Sequence, residues 1–188
     1  RRMTPELIDR ELEKYSCGDW LLIQNETNCL EYIMRAANKK GMKIAFNPSP
    51  MDGTVSTLPL ELVDLFLVNE IEGAAVTGKE ITEEITAEFE KLFPNAAVIL
   101  TLGKKGSIFK SEKDMLFQPS YCGTVKDTTG AGDTYTGFFI ANYINGVSPQ
   151  ECMRIAAMAS TVQISRDGAA IAIPKKQEVL NALKNHCR

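Results

Sequence analysis

The chain has 188 residues, of which 44% are hydrophobic and 24% charged, with a formal net charge of -3. This allows one domain of ordinary size with a real core, and the weak acidity argues against nucleic acid or an anionic membrane as the main partner. No apolar run reaches transmembrane length. The scattered Cys17, Cys29, Cys122, Cys152 and Cys187 form no C-x-x-C pair, so reduced thiols in a cytoplasmic setting are expected rather than a disulfide framework or zinc site. The single histidine, His186, excludes a multi-histidine metal site and a histidine-based triad, and is expected in a frayed terminus.

In chain order, Thr4, Pro5 and Glu6 read as N-cap, first helical position and first-turn acid of a helix to about Tyr15, with Ile8, Leu12 and Tyr15 on one face. Residues 19–24 are a short apolar run, read as a buried strand. Asn28 and Glu31 have capping-box spacing for a helix over 28–40 closed by Gly41. Strands follow at 43–47 and 63–68, then a short helix from Asn69-Glu70 to Gly78, and another from Thr82 to before Pro94. Residues 97–101 are a buried strand. Gly103–Gly106 is a turn, and 107–110 with 115–118 form a hairpin. A helix to about Asn145 reads as buried all round. Ser148 and Glu151 then box the start of a helix with Pro149 first and Cys152, Ile155, Ala156 and Ala159 at core spacing. A loop at 166–170 and a final helix from Lys175 complete the chain.

Strands alternate with helices, and the strands are continuous apolar runs. This predicts a Rossmann-like α/β/α sandwich with a mostly parallel sheet, plus an antiparallel part from the hairpin. Ligands in such sheets bind beyond the carboxyl ends of the strands. Polar clusters at Gln24–Glu26, Asn47–Ser49, Asn69-Glu70 and Thr101–Gly103 all fall there.

The stretch 127–139, DTTGAGDTYTGFF, carries the clearest chemistry. Gly130, Ala131 and Gly132 let a backbone approach a ligand closely. The helix start behind them presents free amides and partial positive charge, which is an anion site. Asp133 beside it suits a base that takes a hydroxyl proton while the amides hold a phosphoryl group. As structure alone, Asp133 is a helix cap.

These residues closely resemble the second signature of the ribokinase-like (PfkB) carbohydrate kinases. Leu21–Glu26 is similar to the strand ending in a sugar-contacting glutamate, and Phe46–Pro50 to the NPAP stretch. Asn69–Glu72 matches N-x-x-E, Thr101–Gly106 matches T-x-G-x-x-G, and Arg166–Ala169 resembles the late loop near the adenine and cation sites. The resemblance implies a ribokinase fold and ATP-dependent phosphorylation of a sugar hydroxyl, with D-ribose to ribose 5-phosphate as the first expectation. Fructose, 2-keto-3-deoxygluconate and adenosine or another nucleoside stay open as acceptors.

By the same resemblance, Asp133 is the base and also meets the substrate, Gly130, Ala131 and Gly132 form the anion hole, and Glu26 bonds a sugar hydroxyl. Asn69 and Glu72 organise phosphates and the water shell of Mg²⁺, while Thr101, Gly103 and Gly106 line ATP. Asp127, Thr129, Gln163, Arg166, Gly168 and Ala172 surround a monovalent cation, K⁺. Without the resemblance, Asn69 and Glu72 read equally as a cap and a solvated charge, 101–106 as a hairpin turn, Asp127 as a turn residue and Glu26 as a loop acid.

Family chains run to about 300 residues, the size of one large α/β domain. The expectation is therefore the C-terminal nucleotide-binding and catalytic portion, without the N-terminal part and its lid, of a protein that is a homodimer when complete. Ala157 replaces a polar residue common near the nucleotide. A non-catalytic nucleotide-binding module is the competing expectation. A dinucleotide-binding oxidoreductase is disfavoured, because Tyr135 stands where the third small residue of that fingerprint belongs.

Overall fold

The structure is a computed structural model describing residues 2–186; Arg1, Cys187 and Arg188 lie outside the described residues. Six strands follow the chain in sheet order: β1 (Trp20–Gln24), β2 (Lys43–Asn47), β3 (Leu65–Asn69), β4 (Ala97–Thr101), β5 (Ser107–Lys110) and β6 (Met115–Gln118). Among the described residues seven α-helices accompany them: α1 (Pro5–Leu12), α2 (Leu30–Lys39), α3 (Glu70–Thr77), α4 (Thr82–Leu92), α5 (Ala131–Tyr143), α6 (Pro149–Ile164) and α7 (Lys176–His186). The chain divides into two compact units, Arg1–Leu100 with Lys110–Asp114, and Thr101–Phe109 with Met115–Arg188. The sequence alone reads as a single α/β domain.

In the first unit, β1, β2 and β3 are parallel, with Gln24 opposite Asn47 and Phe46 opposite Phe66. Asp64 organises their start. Its Oδ2 accepts from the Ile44 amide at 2.9 Å, its Oδ1 meets Lys43 Nζ at 2.7 Å, and its carbonyl accepts from the Ala97 amide at 2.9 Å. That anchoring places Val63 and Asp64 ahead of β3, which begins two residues later than the apolar run suggested. Phe46, Phe66, Leu65, Ile85, Ile99 and Leu100 are fully buried. Each contributes about 1.5–3 kcal/mol by leaving water. Phe66 also packs its ring against Phe89 and Phe93 at 5.1 and 4.8 Å.

Three further expectations fail in this unit. The first strand buries only Ile23, and Leu22 is 42% exposed, because an apolar run does not distinguish an edge strand from a central one. The first helix stops at Leu12, leaving Tyr15 exposed. Asn28 does not cap α2. Cys29 is the N-cap in a left-handed conformation, and the Asn28 amide instead accepts from the Met3 amide at 2.9 Å and donates to its carbonyl at 2.8 Å.

Also in the first unit, the Ser111 amide donates to the Asp114 carbonyl at 2.9 Å. In the second unit the helices α5, α6 and α7 follow one another. Helix α6 buries Cys152, Ile155, Ala156 and Ala159 as expected, and Ile155, Met158 and Ala159 pack with Val179 and Leu183 of α7. Ser148 Oγ accepts from the Glu151 amide at 3.4 Å, but the Glu151 carboxylate does not complete a box, pairing with Arg154 at 2.7 and 2.8 Å. His186 is the last residue of α7 rather than a frayed end, its ring edge-on to Tyr121 at 4.7 Å. The helix expected to be buried, α5, leaves Gly132, Asp133, Gly137 and Ala141, with Ile144 at its C-cap, along an exposed stripe. Apart from Asp133 those residues are small or apolar, so the sequence shows no continuous polar face there.

Candidate active site

In the second unit the segment before α5 is held from three sides. Asp127 Oδ1 accepts from the Thr129 amide at 2.9 Å and Oδ2 from the Gly168 amide at 3.3 Å. The Thr129 amide first, then the Thr129 hydroxyl and the Gly168 amide, keep the Asp127 carboxyl below its ordinary range. The Lys126 and Asp127 amides both donate to the Ile164 carbonyl, at 2.8 and 3.3 Å. Gly130 takes φ = 78° as the N-cap of α5, a left-handed conformation that favours glycine. It has no side chain to cap the helix, and the Ala131 amide behind it donates to the Thr128 carbonyl at 3.1 Å. Asp133 lies in that first turn and is exposed.

The late loop joins the same cluster. Arg166 donates from Nη2 to Glu178 Oε1 at 2.6 Å and from Nη1 to the Ala172 carbonyl at 3.5 Å. Gln163 Nε2 donates to the Thr129 carbonyl at 2.7 Å. The Arg166 amide donates to the Gln163 carbonyl at 3.1 Å, so Asp127, Thr129, Gln163, Arg166, Gly168 and Ala172 share one hydrogen-bonded neighbourhood.

Thr101, Gly103 and Gly106 form a separate turn. The Leu102 amide donates to the Gly106 carbonyl at 2.8 Å and the Gly106 amide to the Gly103 carbonyl at 3.2 Å. Gly106 is required there. Its φ is 121°, and a Cβ would sit 2.1 Å from the Gln118 carbonyl oxygen. Sequence inspection missed a buried pair in this unit, the Ser107 and Tyr135 hydroxyls 2.7 Å apart. Burial raises the Tyr135 phenol far above its usual range, so it stays neutral. A serine opening an apolar strand was the only signal.

In the first unit, Asn69 Oδ1 accepts from the Glu72 amide and Glu72 Oε2 from the Asn69 amide, each at 2.9 Å, a complete capping box. Glu72 is only 7% exposed. Glu26 is exposed just past β1. Beside it, Asn25 donates through Nδ2 to the Pro50 carbonyl at 2.8 Å and through its amide to the Ser49 carbonyl at 3.0 Å. The in-register pairing of Gln24 with Asn47 brings these two polar clusters together. Among the described residues no three His, Cys, Asp or Glu side chains are grouped to hold a metal by themselves, and no helix is long and apolar enough to cross a membrane.

The pattern of the pfkB family carbohydrate kinases matches residues 15–176. The chain belongs to that family. Ribokinases from Haemophilus influenzae and Arabidopsis thaliana are each 31% identical to it over 96% of its length. Among solved structures, Thermotoga maritima ribokinase matches with TM-score 0.82 and 29% identity over 97% of this chain and 61% of its own. Arabidopsis ribokinase complexed with ribose and ATP matches with TM-score 0.82 and 28% identity over 97% of this chain and 60% of its own. This pfkB chain thus has the ribokinase-like α/β fold with a mixed six-stranded sheet. It spans 61% of the Haemophilus protein and 50% of the Arabidopsis one.

Proposed function

We propose that this chain is the nucleotide-binding and catalytic portion of an ATP-dependent sugar kinase that converts D-ribose to ribose 5-phosphate. The observation that carries the reading is the start of α5: thirteen helical residues behind an N-cap with no side chain, with exposed Asp133 in the first turn. In this reading the amides at Gly130, Ala131 and Gly132 hold the transferring phosphoryl group. Asp133 takes the proton from the sugar's primary hydroxyl as its oxygen bonds to phosphorus and the bond to ADP breaks. The Arabidopsis relative complexed with ribose and ATP supports the choice of both substrates.

The other roles follow on each unit. Thr101, Gly103 and Gly106 line the nucleotide, and Glu26 bonds a sugar hydroxyl. Asn69 and Glu72 suit the water shell of Mg²⁺, which neutralises phosphate charge when bound. The capping box uses one of the roughly four lone-pair sites of the Glu72 carboxylate, so the fit is retained. Asp127 with the carbonyls of Thr129, Gln163, Arg166, Gly168 and Ala172 suits K⁺. These are hard oxygens, Asp127 is kept ionised, and oxygens that already accept a hydrogen bond retain a further lone pair. The unpaired thiols of Cys17, Cys29, Cys122 and Cys152 support a reducing, cytoplasmic setting, and the complete protein is read as a homodimer.

A sugar panel assayed for ATP consumption with the complete protein tests the reading. Ribose is expected to give the highest kcat/KM, and activity on no sugar would overturn it.

A further inference from the structure

Two side chains near the end of α6 reach the segment before α5, and none of the roles above uses them. Ser160 Oγ donates to the Ala131 carbonyl at 2.9 Å, and Gln163 Nε2 to the Thr129 carbonyl at 2.7 Å. The two carbonyls flank Gly130, where the chain turns into α5. Residues at this spacing share one helix face. They face the segment with two donors placed to meet two consecutive non-glycine carbonyls.

Gln163 is fully buried, and its Oε1 has no hydrogen-bond partner. A buried amide with one end unmet is a poor choice for packing, because the unmet acceptor has lost its water. Methionine fills a similar space without that acceptor. The carbonyl of Thr129 is the group that gives a reason for glutamine here.

We infer that Ser160 and Gln163 are positioning residues, which hold the Thr129 and Ala131 carbonyls and so fix the direction of the amides at the start of α5. The inference rests on the phosphoryl-holding role proposed for those amides. Two carbonyls held from α6 remove the peptide rotations that would turn the neighbouring amides away. Their loss is felt when the phosphoryl group transfers, more than when the sugar binds.

The test uses the complete protein with Ser160→Ala, Gln163→Met, the double variant and Ser160→Thr, measured by steady-state kinetics on a sugar the wild type phosphorylates and by thermal melting. In the double variant kcat is expected to fall about 10- to 100-fold, the scale of a small misplacement of reacting groups. The KM for sugar should stay within about threefold. Gln163→Met should melt at or above the wild-type temperature, and Ser160→Thr, which keeps the hydroxyl, should retain activity. A double variant with kcat within about twofold of wild type overturns the inference, as does a Tm loss that accounts for the activity loss. If the double variant does not fold, the single variants carry the same comparison. Amide hydrogen exchange over residues 129–134 separates this inference from the kinase reading. Should the wild type phosphorylate nothing, faster exchange in the variants still supports the clamp, and unchanged exchange rejects it.

Discussion

Two helices of this chain begin in opposite ways. Helix α3 closes its own start, since Asn69 and Glu72 exchange side chain and backbone hydrogen bonds in both directions. Helix α5 begins at a left-handed glycine with no side-chain cap. A helix start that satisfies its own donors gains stability. One that does not leaves donors for an external anion. Both stretches are site signals in the sequence, but their physical content differs: the first is chiefly a cap that also offers a carboxylate, and the second is a helix start that no side chain caps.

This contrast can be broken by substitution. The largest effect is expected for Asp133→Asn, which should lower kcat of the complete protein by about 10²- to 10⁴-fold, the usual contribution of a general base. Melting should change little, because Asp133 lies on the exposed stripe of α5. Near-wild-type kcat would remove Asp133 from its role. Next, Asn69→Ala should cost about 1–2 kcal/mol in denaturant unfolding, the range for a lost N-cap, and raise the Mg²⁺ concentration needed for half-maximal rate. A stability loss with no change in Mg²⁺ requirement would make the box purely structural.

Gly130→Ala should cost about 1 kcal/mol for forcing an L-residue into the left-handed region. Its added Cβ finds only ordinary contact with Ala169, at 3.7 Å, so backbone strain is the main term. The smallest effects are in pH dependence. The Asp127 carboxyl is lowered in the folded state, so its contribution is present above the unfolded value of 3.8 and is lost as pH falls through the folded value. Asp127→Asn should flatten the acid limb of a stability–pH curve. Burial first, then Glu151, raise the Cys152 thiol from 9.0 to about 11. Its contribution is present below 9.0 and lost as pH rises through about 11, and Cys152→Ala should flatten that limb.

The strands at 43–47, 97–101, 107–110 and 115–118 were legible to the residue, because apolar β-rich runs there stop at Pro, Gly or charged punctuation. Less legible was what depends on neighbours distant in sequence. Nothing at 19–24 says that Leu22 is on an edge strand. Nothing at Asn28 says that its amide is taken by Met3 rather than by the helix behind it. In the candidate site, local motifs marked Asn69, Glu72, Gly106, Asp127 and the α5 start. The side-chain roles of Ser160 and Gln163 were hidden, since a polar residue on a helix reads as surface until its partner is known. Burial reverses that reading for Gln163.

The Asn28 amide offers Met3 an acceptor and a donor, as a neighbouring strand does. Both bonds go to main-chain atoms, so the fastening is blind to the side chain at position 3. A non-proline substitution there leaves it intact, whereas proline, having no amide hydrogen, removes half of it. At position 28 even a change to aspartate removes the donor, and deamidation would do the same chemically. One end of the fastening is tolerant of substitution, and the other is specific to a single functional group.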